Sequence, residues 1–269
     1  MDSTQTRRPL AVVTGGSSGI GFELAREFAE HGYDLVIAAE DPGLHDAAAR
    51  LRAHGGAVRA VRCDLATFDG VETLYGDLHA RGRPVDVAVL NAGVGQGGGF
   101  LETEFADQAR VIDLNISSTV HLARRLLPEM TERGQGRMMI TSSASAGRPG
   151  PFHAVQCASE AFLRSFSLAL NSELKDKGVT VTALLPGTTD SRFFVRAGLL
   201  NTRLGRSRKD SPALVARQGF AALMAERPRR VAGSKRTRLE DLLGRLLPER
   251  ARTALDHRWA EPGGGVHRL

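Results

Sequence analysis

The stretch Thr14-Gly15-Gly16-Ser17-Ser18-Gly19-Ile20-Gly21 constrains the fold of this chain more than any other, because of what flanks it. Residues 10–14 form a short apolar run, long enough for a buried strand and too short for a helix. After the glycines, Phe22, Leu24, Ala25, Phe28 and Ala29 recur at roughly helical spacing until Gly32 supplies a stop. Strand, glycine turn and helix in this order bring backbone N–H groups up to a pyrophosphate. The helix N-terminus then favours its negative charge, so the spacing points to dinucleotide binding.

The alternation continues through the chain. Apolar runs at 35–39, 58–61, 85–90, 138–140 and 179–185 are separated by segments long enough for helices. Alternating strands and helices imply a parallel sheet covered on both faces, and right-handed crossovers make it doubly wound. We therefore expect an α/β, Rossmann-like single domain, which 269 residues with 42% apolar composition can supply. The expected organisation is a flexible N-terminus at 1–8, a nucleotide-binding domain at 9–235 and a basic amphipathic extension at 236–269. Residues 261–269 also read as mobile.

Further motifs follow in order: Asp64-Leu65 after the third run, Asn91-Ala92-Gly93, Asp113-Leu114-Asn115, Ile140-Thr141-Ser142-Ser143 and Pro186-Gly187. With the glycine turn they make the chain resemble the single-domain short-chain dehydrogenase/reductase family over roughly residues 8–235. The resemblance implies a cofactor cradle of Gly15, Ser17, Ser18, Gly19, Ile20 and Gly21. It implies Asp64 and Leu65 beside adenine, then Asn91, Ala92 and Gly93, and Pro186, Gly187 and Thr188 near the nicotinamide. It also implies Asn115 and Ser143 at the catalytic centre, Ser143 bonding the substrate oxygen, and a substrate lid at about 188–226.

One departure is as specific as the match. The family's Tyr-x-x-x-Lys falls on Gln156 and Glu160, although Cys157, Ala158 and Ser159 between them fit a common form of the motif. Glutamine does not ionise near neutral pH, and a positioned acid or base contributes roughly 10²–10⁴-fold in rate. If Glu160 is ionised, the local charge changes by two units, each on the order of 3 kcal/mol at about 5 Å and an effective dielectric near 20. That field opposes an alkoxide. Gln156 can still act as an oxyanion donor, and Glu160 can act as a base if desolvated. His153, one turn earlier, has the pKa suited to acid–base work, or is simply a half-exposed helix-start histidine. Cys157 and Cys63 read as packing residues.

Glu40, with Asp41, ends the second strand, and no Lys or Arg follows before Arg50. A carboxylate there binds a ribose diol, so NAD(H) is favoured over NADP(H). No residue is assigned to a metal. Between residues 192 and 252 lie 16 Lys/Arg and 5 Asp/Glu, a net +11, which leaves −5 for the remainder. That basic region would attract an anionic small-molecule substrate, or is a solvated face. Nucleic acid is not expected, since interleaved aromatics are absent. Residues 239–247, with Leu242, Leu243, Leu246 and Leu247, are amphipathic and read as a helix that packs on the partner subunit, the other options being a lid cap or a membrane surface. No stretch is long enough to span a bilayer, and residues 1–9 lack a signal-peptide core. A cytoplasmic protein is expected, with no disulfide framework from two cysteines. Apolar sets on long helices at about 103–132 and 152–177, including Val111, Leu114, Leu122, Phe162, Phe166 and Leu170, imply a homodimer or homotetramer. Two function classes follow. One is a divergent oxidoreductase of weak or atypical activity; the other is a non-catalytic subunit partnering an intact paralogue, as a hetero-oligomer. Elimination or isomerisation is a third, weaker reading.

Overall fold

The structure is a computed structural model that describes residues 7–246 and 248–263. Its centre is a seven-stranded, wholly parallel sheet: β1 (Leu10–Thr14), β2 (Asp34–Ala39), β3 (Val58–Arg62), β4 (Val87–Leu90), β5 (Gly136–Thr141), β6 (Val179–Pro186) and β7 (Arg229–Ala232). The spatial order is β3-β2-β1-β4-β5-β6-β7, the doubly wound arrangement expected. Order reverses between β1 and β4, and ligands of such sheets bind outside the strand carboxyl ends at that point.

Alternation along β1 divides the core in two. Leu10 and Val12 face α3 (Phe68–His79), α5 (Ser118–Glu132) and α6 (Ala154–Leu174). Ala11 and Val13 face α1 (Gly19–Glu30), α2 (Leu44–Arg52) and α9 (Pro212–Met224). Both sets are almost completely buried, as strands covered on two faces require.

Three details differ from the sequence expectations. β7 carries no apolar run, since Arg229 and Arg230 are half-buried at the sheet edge, where only one side must pair. The helix expected at 103–132 is broken into α4 (Phe105–Ile112), a π-helical turn (Asp113–Ser117) and α5. Such turns insert one extra residue and recur at functional sites; this one carries Asn115. Arg8 is anchored, donating to the Gly55 carbonyl at 2.6 Å and accepting from Arg83 at 2.7 Å, while residues 1–6 lie outside the described residues.

The segment 188–226 contains α7 (Phe193–Arg196), α8 (Arg203–Arg206) and α9. Of this segment, α9 packs on α1 as a layer of the sheet. The extension forms α10 (Lys235–Leu246) and α11 (Glu249–Ala260). On α10 the stripe Leu239, Leu242 and Leu243 is exposed in the single chain; Leu247 and residues 264–269 lie outside the described residues, and the side chain of Leu246 is likewise not described. Among the described residues no helix is long and apolar enough to cross a membrane.

Candidate active site

The strand ends are tied together by short polar side chains. Thr14 Oγ1 accepts from the N–H groups of Asn91 and Ala92, both at 2.9 Å. Asn91 donates to the Thr14 carbonyl and accepts from Thr141 Oγ1, linking β1, β4 and β5. Asn115, 2% exposed, accepts from the Val94 N–H at 2.9 Å and donates to the Val94 carbonyl and to Ser159 Oγ. Ser159 in turn donates to the Gln156 carbonyl at 2.7 Å. The π-helical turn thus fastens the loop after β4 to the α6 segment bearing the departed motif.

On that segment the side chains have distinct settings. Gln156 Oε1 is buried without a hydrogen-bond partner. It lies 2.7 Å from where a Cβ on Gly95 would stand, a position 2.6 Å from Phe193 Cζ as well, so a side chain there would have to displace both. Glu160 is half-buried as a residue, but its Oε2 is buried and unpartnered. Burial pushes the Glu160 carboxyl up to about 8, with the Ser142 hydroxyl pulling the other way. At pH 7 the side chain is therefore mainly neutral, and the charge change relative to lysine is one unit rather than two. His153 is buried rather than half-exposed; burial holds its pKa below the ordinary value, and its Nδ1 has no partner. Ser143 Oγ shares a hydrogen bond with Ser145 Oγ at 2.8 Å. Burial raises the Cys157 thiol to about 12 and the Cys63 thiol to about 11, which makes both poor nucleophiles.

The cofactor end shows groups that local sequence reading missed. Arg110 of α4 donates to Glu40 at 2.6 Å and to Asp64 at 3.1 Å. Burial notwithstanding, Arg110 and the Ala66 N–H hold the Asp64 carboxyl below its usual range. Arg62 donates to the Glu40 carbonyl, and Arg192 and Arg196 pair with Asp41 at 3.0 and 3.1 Å. The interval after Glu40 is free of basic residues along the chain, yet four arginines meet there in space. They come from β3, α4 and the segment of α7, up to 155 positions away, so no local pattern announces them. Gly187, at the Pro186 turn, abuts Thr237 of α10, and Thr188 accepts from the Asp210 N–H at 2.7 Å. Leu65 is buried in the core cluster beside β3.

A nicotinamide dinucleotide is compatible with this edge in three respects. Gly15 and Gly19 hold φ values of +68° and +58°, and a Cβ on Gly21 would collide with the Gly15 carbonyl. The first turn of α1 has no acidic residue and Ser18 makes no side-chain cap, which leaves the helix N-terminus for an anion. The orphaned Glu160 Oε2 and Gln156 Oε1 suit hydroxyl or amide donors, which buried polar atoms require.

A sequence profile of the short chain dehydrogenase family matches residues 9–198. The chain is 34% identical over 191 residues to the "Probable oxidoreductase EphD" of Mycobacterium tuberculosis, covering 70% of this chain and 32% of that protein. A short-chain dehydrogenase from Sphingobium yanoikuyae in complex with NADPH superposes with a TM-score of 0.77 at 29% identity, over 88% of this chain and 93% of that one. The 3-ketoacyl-(acyl-carrier-protein) reductase from Brucella melitensis, complexed with NADH, gives 0.72 at 26% identity, over 83% and 94%. Structural neighbours thus hold both NADPH and NADH. On its sequence, its sheet and these matches, the chain belongs to the short-chain dehydrogenase family.

Proposed function

We infer that the chain is a divergent NAD(H)-binding oxidoreductase of the carbonyl/alcohol type, in which Glu160 takes over as the proton-holding group. The observation that carries this reading is a buried carboxyl oxygen without a hydrogen-bond partner, one turn from Gln156, where burial pushes the group up to about 8. A group whose pKa lies near the working pH is suited to general acid–base work. Gly15, Ser17, Ser18, Gly19, Ile20 and Gly21 would hold the pyrophosphate, and Asp64, Leu65, Asn91, Ala92 and Gly93 the adenosine side. Pro186, Gly187 and Thr188 would flank the nicotinamide, which when bound exchanges a hydride. Ser143 and the Gln156 amide orient the substrate oxygen, and Asn115 keeps α6 in place. His153, whose buried Nδ1 has no partner, is a reserve acid–base group. The basic region 192–252 favours an anionic substrate. Two buried free cysteines accord with a cytoplasmic setting.

NAD(H) is the proposed cofactor because Glu40 stands at the tip of β2 with its carboxyl largely exposed. Arg110 must yield part of its grip on Glu40 to a ribose diol, so the preference is expected to be modest. Fluorescence titration should give tighter binding of NADH than of NADPH. Tighter NADPH binding, or binding of neither, removes this reading.

A homodimer or homotetramer is proposed through α4 and α6. Val111 and Leu122 are spent in the core, and Leu114, Phe166 and Leu170 pack against it. Phe105, Ile112 and Phe162 remain exposed, Phe162 stacked on Phe166 at 5.7 Å. Light scattering at micromolar concentration should show at least a dimer, and Phe105→Glu with Phe162→Glu should reduce it to a monomer. A monomeric native chain contradicts the proposal.

One observation favours the second reading, a non-catalytic subunit joined to an intact paralogue: Phe193 Cζ and Gln156 Oε1 both crowd the same spot over Gly95, at 2.6 and 2.7 Å from where a Cβ would stand. Co-purification with a Tyr-x-x-x-Lys-bearing paralogue, and no turnover alone on a panel of alcohols and ketones, would select it. Elimination or isomerisation on the same scaffold would show as product formation with no change in nicotinamide absorbance.

A further inference from the structure

The segment around α7 touches three parts of the cleft at once. Arg192, at its N-cap, and Arg196, in its last turn, both reach the Asp41 carboxylate. Ser191, just before it, has its Cβ 3.2 Å from where a Cβ on Gly19 would stand, against the glycine turn. Phe193 meets Gly95 beside Gln156. Beyond the helix, the Gly97 N–H donates to the Ala197 carbonyl at 2.8 Å, and a Cβ on Gly97 would fall 2.5 Å from Leu199 Cδ2. Glycines at 95 and 97 are what permit this close seating.

Asp41 is built to receive the lid. Its side chain is 16% exposed, whereas those of Arg192 and Arg196 are 53% and 47% exposed. The Gly43 N–H fixes one carboxylate oxygen at 2.7 Å independently of the lid and, with the two arginines, holds the group below its usual pKa range. Glu40 is engaged elsewhere, with Arg110. The two neighbouring acids thus divide, Glu40 toward Arg110 and Asp64 and Asp41 toward the lid.

We propose that Asp41, Arg192 and Arg196 form an electrostatic latch that holds α7 across the cleft, with Phe193 seated beside Gln156 while the latch is closed. The proposal deepens the cofactor-site reading and rests on it. A dinucleotide reaching from the tip of β2 to Gln156 would pass beneath α7, so its entry and exit require the latch to open. Each half-exposed ion pair is weak alone; two sharing one fixed carboxylate are expected to shift the opening equilibrium roughly tenfold. Salt should weaken them.

The test is hydrogen exchange on the full chain without nucleotide, following peptides that contain 193–199 and 95–98. Asp41→Asn and the double variant Arg192→Gln/Arg196→Gln should each speed exchange there roughly tenfold, and their combination should add nothing further. Peptides of β1 and α1 serve as the control that the fold is intact. Raising salt from about 0.05 M to about 1 M should accelerate exchange in the native chain but not in the variants. Unchanged exchange in both variants overturns the latch. In stopped-flow NADH binding, association and dissociation should both be faster in Asp41→Asn than in the native chain. Altered NADH binding with unaltered exchange assigns Asp41 to the cofactor and likewise overturns the latch. If no nucleotide binds to any form, the cofactor reading fails while the exchange result still decides the latch.

Discussion

Replacing Gln156 with Tyr and Glu160 with Lys together is expected to create or raise alcohol–carbonyl turnover by roughly 10²–10⁴-fold, the contribution of a positioned acid or base. A larger ring at position 156 must displace Phe193, which crowds the same spot over Gly95. The introduced tyrosine supplies the proton, and the introduced lysine lowers its pKa with a positive field. Gln156→Tyr alone should gain much less. Below about pH 8 the neutral Glu160 offers no field to help the tyrosine, and above that pH its charge raises the tyrosine pKa. The double variant should therefore exceed the sum of the singles, as groups acting as a unit do. The measurement is NAD(H) turnover on a panel of secondary alcohols and ketones, with melting curves to show that each variant is folded. If the native chain is already active and the double replacement abolishes that activity, Gln156 and Glu160 belong to a chemistry of their own.

The parts of this molecule that were legible in sequence are those written in local periodicity. The apolar runs gave β1 to β6, the glycine turn gave the β1–α1 junction, and Asn91, Asn115 and Ser143 fell at strand ends or in the π-helical turn because their motifs adjoin those elements. What was not legible depends on distance along the chain. Arg110 lies 46 positions from Asp64, and Arg196 lies 155 from Asp41, so the charge balance at the tip of β2 emerges only once α4 and α7 are folded. The ionisation of Glu160 was open for the same reason: spacing puts it on α6, but packing decides whether its carboxyl meets water. The edge strand β7 was missed because Arg229 and Arg230 carry no apolar signal; its place is set by pairing with 183–186.

Glu160→Gln is expected to stabilise the chain strongly in mildly alkaline solution and hardly at all in acid. Burial raises the Glu160 pKa from 4.5 to about 8, so between those values the folded state keeps a proton that the unfolded state has lost. Stability therefore falls as pH rises through this window, by about 1.4 kcal/mol per unit, and levels off above pH 8. Across roughly 3.5 units the loss approaches about 5 kcal/mol, an upper figure because the glutamine amide must also be satisfied in the same buried place. For a chain of this size each kcal/mol moves Tm by about 2–4 °C, so the variant should melt about 10 °C higher at pH 8.5 and within a degree or two at pH 4.5. The difference between the two Tm–pH curves isolates this one group, because every other titration is shared. Parallel curves would show that Glu160 ionises as it does in water and would remove it as the proton-holding group. Saturating NADH adds a second readout. If ribose hydroxyls donate to the unpartnered Oε2, they stabilise the charged carboxylate and lower its pKa, and the gap between native chain and variant should narrow when the nucleotide is bound.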